Sequence, residues 1–115
     1  MVDRKTVETF LKGFKEKMQI TRVFFRDDRG KNAKALTDLE LRPIDREAVL
    51  QNLKVEDYSE GPLEDTLYKG SELWVFGKEI KQSEVYIKIS MGYGHGGVLC
   101  ISFHIAERPM NYPFK

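Results

Sequence analysis

The sequence predicts an α+β domain in which a twisted antiparallel sheet, a C-terminal three-strand meander plus one N-terminal strand, packs against two or three helices. Two patterns carry that expectation. Apolar residues recur three and four apart near the start of the chain, the period of an amphipathic helix, and two segments near its end alternate strictly between apolar and polar, the period of a half-buried strand. A single-layer sheet with one apolar side needs helices to cover it.

Val7, Phe10, Leu11, Phe14 and Met18 form the apolar stripe of a helix from about Asp3 to Met18, with Lys12, Lys15, Glu16 and Lys17 on its other side. The stripe suits a core better than a membrane. Ile20 to Arg26, rich in β-branched and aromatic residues, reads as a strand. Arg26-Asp27-Asp28-Arg29-Gly30-Lys31-Asn32 then turns. Ala33 to Leu39 reads as a short helix. A second begins after Pro43, capped by Asp45, and buries Val49, Leu50 and Leu53. Tyr58 to Pro62 ends the helical half.

Leu73 to Lys78 opens the sheet, Lys81 to Ser83 is a tight turn, and two alternating strands follow. Glycines crowd the segment from Met91 to Val98. Because this run joins two strands, it reads as a hairpin tip with His95 at its end rather than as a phosphate cradle, which needs a strand-to-helix context. The tail from Glu107 to Lys115, with two prolines, is expected to lie as an extended arm or to fray.

In Val85-Tyr86-Ile87-Lys88-Ile89-Ser90-Met91 and in Leu99-Cys100-Ile101-Ser102-Phe103-His104-Ile105 the odd residues are apolar. An antiparallel pair keeps its apolar rows together only if odd sits opposite odd. Among the registers left, the one pairing Gly92 with Val98 sets His104 opposite Tyr86 and Ser102 opposite Lys88, roughly 5 Å apart. An imidazole, a phenol and an ammonium then share one outward patch. That is equipment for proton transfer beside a phosphate. The ordinary alternative is a solvated sheet face.

A chain of 115 residues is expected to form one domain, spanning 1–115, with a core that needs no disulfide or metal. The single cysteine, Cys100, forms no internal disulfide, and with no secretory signal or long apolar run the expected compartment is the cytoplasm. Cys100 falls on the polar parity of its strand, yet reads as a small packed side chain. A net charge of +1, from 19 basic and 18 acidic residues, gives no global field for nucleic acid, so an anionic partner must be held by local clusters. Two histidines and no cluster at ligand spacing leave a zinc site without support, so neither metal nor other cofactor is expected.

Arg26 to Asn32, Asp57-Tyr58-Ser59-Glu60-Gly61-Pro62, Leu73 to Lys78, Glu84 to Ile89 and Cys100 to His104, in that order, resemble the MqsR family of toxins from bacterial type II toxin-antitoxin systems. The resemblance runs from about Lys31 to the end and is most specific in the Tyr-Ile-Lys-Ile and Ile-Ser-Phe-His strands. It implies a RelE-like fold and a metal-independent endoribonuclease that cuts messenger RNA unless a cognate DNA-binding antitoxin covers it. The family's site tyrosine falls on Tyr86 and its C-terminal lysine on His104. Lysine, near pKa 10, and histidine, near about 6.5, offer different chemistry, since only the second both takes and gives a proton at neutral pH. Val75 and Ser59 stand where the founding member has glutamine and lysine.

His104, Tyr86 and Lys88 are therefore the expected catalytic residues, with the direction of each proton transfer open. The ammonium of Lys88 is expected to lower the pKa of Tyr86 and to oppose protonation of His104. Lys78, Arg26 and Lys31 are candidate phosphate contacts. Phe76 or Trp74 is a candidate stacking face for an unpaired base, with core packing the stronger use of Trp74. The competing reading is a non-catalytic module whose sheet face holds RNA or a protein partner and regulates a DNA-binding subunit.

Overall fold

The computed structural model describes residues 2–27, 30–65, 71–92 and 96–115. Among them the elements run α1 (Arg4–Ile20), β1 (Val23–Phe25), α2 (Gly30–Asp38), α3 (Asp45–Gln51), a 3-10 turn (Val55–Asp57), β2 (Tyr58–Leu63), β3 (Leu73–Ile80), β4 (Ser83–Ser90) and β5 (Val98–Ile105). The class is α+β, as the two periodicities predict. The sheet order is β1-β5-β4-β3-β2.

The first helix starts where Asp3 accepts the Thr6 N–H at 2.8 Å, a side-chain cap for an otherwise unpaired amide. Val7, Leu11, Phe14 and Met18 are buried against the sheet, and Phe10 stacks on Trp74 with ring centroids 4.5 Å apart. The β3–β4 hairpin turns on Lys81 and Gln82, both at positive φ (49° and 70°), which matches the twist of the flanking strands.

Four expectations change. The sheet is mixed, because β1 runs parallel to β5, pairing Val23 with Val98 and Phe25 with Cys100. The strand expected over Ile20 to Arg26 is only three residues, since α1 continues to Ile20. Tyr58 to Pro62 does not close a helical half but forms an edge strand, β2, paired irregularly with β3, where a proline costs no ladder bond. Finally, Gly30 to Asn32, read as the end of a turn, is already the start of α2.

The fifth difference lies inside β5. Tyr86 does pair with His104 and Lys88 with Ser102, but the next β4 residue, Ile89, pairs with Cys100, so Ile101 is an extra residue. Such a bulge shifts the strand's parity by one. The pairing of Gly92 with Val98 is thereby lost, and Val98 and Cys100 join Phe103 in the core instead of facing outward. Cys100 is fully buried, and burial pushes its thiol up to about 12. It is a packing residue.

Beyond Phe25 no strand among the described residues lies beside the edge of β5. Asn32, buried in α2, takes that place: its Oδ1 accepts the Phe103 N–H at 3.0 Å while its Nδ2 donates to the carbonyls of Ile101 and Arg26 at 3.2 and 3.0 Å. One amide thus satisfies the ladder and fixes α2 beside the end of β5. Arg46 secures the neighbouring turn with a guanidinium 2% exposed, donating to both Asp27 oxygens at 2.8 and 2.9 Å over the Phe25 ring.

Candidate active site

The sheet has one face on the core and one turned away from it. Facing α1 are Phe76, Val85, Ile87, Ile89 and Phe103. The alternate residues Tyr86, Lys88, Ser102 and His104 line a cleft of about 800 Å³ on the other face, as the strand parity predicts.

Its floor is the β4–β5 pair. Its walls are the first turn of α2 (Gly30, Lys31, Asn32), β2 at Ser59 and Glu60, and the tail from Glu107 to Asn111. The start of α2 brings the positive end of a helix dipole to the rim. The tail is held as an extended arm: Met110 N–H and Tyr112 Oη both donate to the Glu84 carboxylate, at 3.1 and 2.7 Å, and the Phe114 ring packs 5.5 Å from that of Tyr58. Gly77 makes room for this strap, since a Cβ there would overlap the Tyr112 hydroxyl.

Across the floor, the rings of Tyr86 and His104 stack with centroids 5.2 Å apart and planes 14° from parallel. Lys88 Nζ lies 5.8 Å from the Tyr86 ring centre. The His104 Nδ1 sits 3.0 Å from the Ile105 carbonyl. A carbonyl oxygen only accepts, so this contact places the proton on Nδ1 and leaves Nε2 of the neutral ring with its lone pair.

Lys31 reaches the same cleft but is ion-paired with Glu107 at 2.7 Å, both side chains well exposed. The Glu107 carboxyl is held below its usual range by the hydrogen bond and charge of Lys31, with His104 adding to the effect. Contrary to expectation, the Tyr86 phenol is pushed up rather than down, first by burial and then by the carboxylate of Glu60. It stays protonated through neutral pH. Desolvation disfavours the phenolate, and the nearby carboxylate adds to that.

Two expected contacts fall on the wrong face. Phe76 is fully buried beside Phe10, 6.2 Å between centroids, so no base stacks on it. Lys78 shares its parity, pairs across from Val85, and sends its ammonium to Asp57 at 3.2 Å. Arg26 is not among the residues lining the cleft; its backbone N–H donates to the Cys100 carbonyl at 3.0 Å. His95 lies outside the described residues.

Among the cleft residues that the sequence reading did not find are Asn32, Glu60, Glu107, Arg108 and Asn111. The strap did leave a trace, because Met110, Tyr112 and Phe114 alternate with exposed residues. Among the described residues no group of three or more His, Cys, Asp or Glu is placed to hold a metal ion, and no helix is long and apolar enough to cross a membrane. No family model, curated protein or solved structure matches the chain.

Proposed function

We propose that this protein is an endoribonuclease that cuts single-stranded RNA without a metal ion, using the 2′-hydroxyl of the substrate as nucleophile. Within that class we read it as a messenger-RNA-cleaving toxin of the MqsR kind, working in the cytoplasm and restrained by a DNA-binding antitoxin. The stacked Tyr86 and His104 rings beside the Lys88 ammonium, in an open cleft, carry this reading.

RNA brings its own nucleophile, so the protein needs a base, an acid and a positive charge. His104 takes the 2′-hydroxyl proton at Nε2, the 2′-oxygen bonds to phosphorus, and the bond from phosphorus to the 5′-oxygen breaks. Tyr86, a protonated phenol at neutral pH, gives its proton to the departing 5′-oxygen, while Lys88 offsets charge on the non-bridging oxygens. The imidazolium returns its proton through solvent to the phenolate. One end is then a 2′,3′-cyclic phosphate and the other a 5′-hydroxyl.

Purified protein incubated with RNA in excess chelator tests this directly. Cleavage that persists, leaves cyclic phosphate ends and disappears in folded His104→Ala supports the reading. Equal activity in the variant, or 5′-phosphate ends, refutes it.

A further inference from the structure

A second, smaller cavity of about 350 Å³ adjoins the cleft, lined by Lys34, Ala35 and Asp38 of α2 and by Ile105 at the end of β5. Three residues line both spaces: Lys31, His104 and Glu107. Two of these three form the ion pair that runs from α2 to the segment after β5, beside the imidazole. We infer that the two cavities are one groove bridged at its middle by the Lys31–Glu107 ion pair, and that the smaller takes a nucleobase flanking the scissile phosphate. This rests on the ribonuclease reading above.

The chemistry of the two spaces differs in the way a strand's parts differ. The larger holds Lys88, for which no carboxylate partner appears among the described residues, next to the proton-transfer pair, and suits the phosphate. In the smaller, Asp38 stands one turn from Lys34 on the same helix, 2.5 Å away, and its negative charge stays there whatever Lys34 binds, so an anion gains little. What remains is apolar contact from Ala35 and Ile105, the latter 36% exposed at a strand end, with a donor and an acceptor at the rim. That combination fits the flat apolar face and polar edge of a base. A base held there lies against His104, which puts its ribose and phosphate beside the base-catalytic nitrogen.

The bridge has to open for a continuous strand to pass. Its two side chains are 61% and 65% exposed, and an ion pair so wetted is cheaply exchanged. The incoming phosphate replaces the Glu107 carboxylate on Lys31, one oxyanion for another. Glu107 thus competes with substrate for Lys31 while keeping negative charge next to His104.

A non-cleavable 2′-deoxy tetranucleotide, with an abasic residue placed at each position in turn, tests the inference by its binding to the whole chain. In the unmodified protein one abasic position should weaken binding about tenfold, the size of one base contact. In Ile105→Ser, or in Lys34→Ala, whose highly exposed side chain leaves folding untouched, that same position should cost markedly less. Glu107→Gln should bind the intact tetranucleotide severalfold tighter, with a salt dependence steeper by about 0.7, because Lys31 then meets phosphate without displacing a carboxylate. No abasic position coupled to either variant, or unchanged affinity and slope in Glu107→Gln, would overturn this inference while the chelator-resistant cleavage stands. No binding together with no cleavage would bring down the ribonuclease reading and this subsite with it.

Discussion

Tyr86 and His104 stand directly opposite each other on β4 and β5, and their rings stack at 5.2 Å. Removing either ring therefore changes two things, the chemistry of its own polar atom and the seating of the other ring.

The phenylalanine and alanine variants separate those effects. Tyr86→Phe keeps the stack and loses only the proton, so kcat should fall about 100-fold with KM little changed. Tyr86→Ala also frees the imidazole and should fall further. His104→Ala should lose at least as much as Tyr86→Phe, since the base is gone. Single-turnover kinetics on a short RNA measure all three, and a Tyr86→Phe protein with full kcat would remove the phenol from the acid role.

The bidentate bond between Arg46 and Asp27 predicts a large and asymmetric stability effect. Asp27→Ala strands a guanidinium that is 2% exposed, for an expected loss of about 3 kcal/mol. Arg46→Met removes the charge with its packing partly kept, and should lose less. Urea unfolding of the two variants reads the difference, and an equal loss in both would mean that packing, not the unpaired cation, governs the site.

Asn32→Ala leaves the Phe103 N–H and the Ile101 carbonyl without their partners in a buried place, which should cost about 2–4 kcal/mol. Asn32→Asp is expected to be no better, because a second acceptor then faces the two carbonyls. Hydrogen exchange at the Phe103 amide is the local readout. Unchanged protection in Asn32→Ala would show that the edge of β5 is sealed by other means.

The strap predicts an alkaline weakness. Burial, then the bond to Glu84, holds the Tyr112 phenol well above its usual range, and burial, then Glu60, raises that of Tyr86. Unfolded, both lose a proton near pH 10, roughly, while the folded protein keeps them longer. Above that point the unfolded state binds fewer protons, so stability is full below about pH 10 and falls as pH rises toward the folded values. Tyr112→Phe should lower neutral stability by about 1 kcal/mol and make the alkaline decline shallower. Parallel curves for the two proteins would contradict the assignment.

Gly77→Ala should act on the same strap from beneath. A methyl group at this position overlaps the Tyr112 hydroxyl, so the tail must lift, with an expected loss of about 1–3 kcal/mol and a wider cleft. The combination with Tyr112→Ala should cost less than the sum of the two. Strict additivity would mean that the tail is not what the methyl group displaces.

The facing of Tyr86 and His104 was legible because both strands alternate without a fault over the residues that matter and odd must meet odd. What was not legible has identifiable causes. Nothing local marks Ile101 as an extra residue, since a bulge inside an apolar run leaves the run apolar. Parallel pairing of β1 depends on a partner some 75 residues away along the chain, and no period in Val23–Phe25 expresses it. The misplacement of Lys78 and Phe76 was avoidable: they share parity with Trp74, and once Trp74 belongs to the core, so does the row. Glu60 and Glu107 enter the cleft by tertiary placement, which sequence spacing does not record.

The extra residue in β5 works like a slip joint. On one side of Ile101 the strand presents Ser102 and His104 to the cleft, and on the other it gives Cys100 and Val98 to the interior, so the two lengths answer to different neighbours. The joint lets Cys100 and Val98 seal the interior on the same continuous strand that turns the imidazole outward.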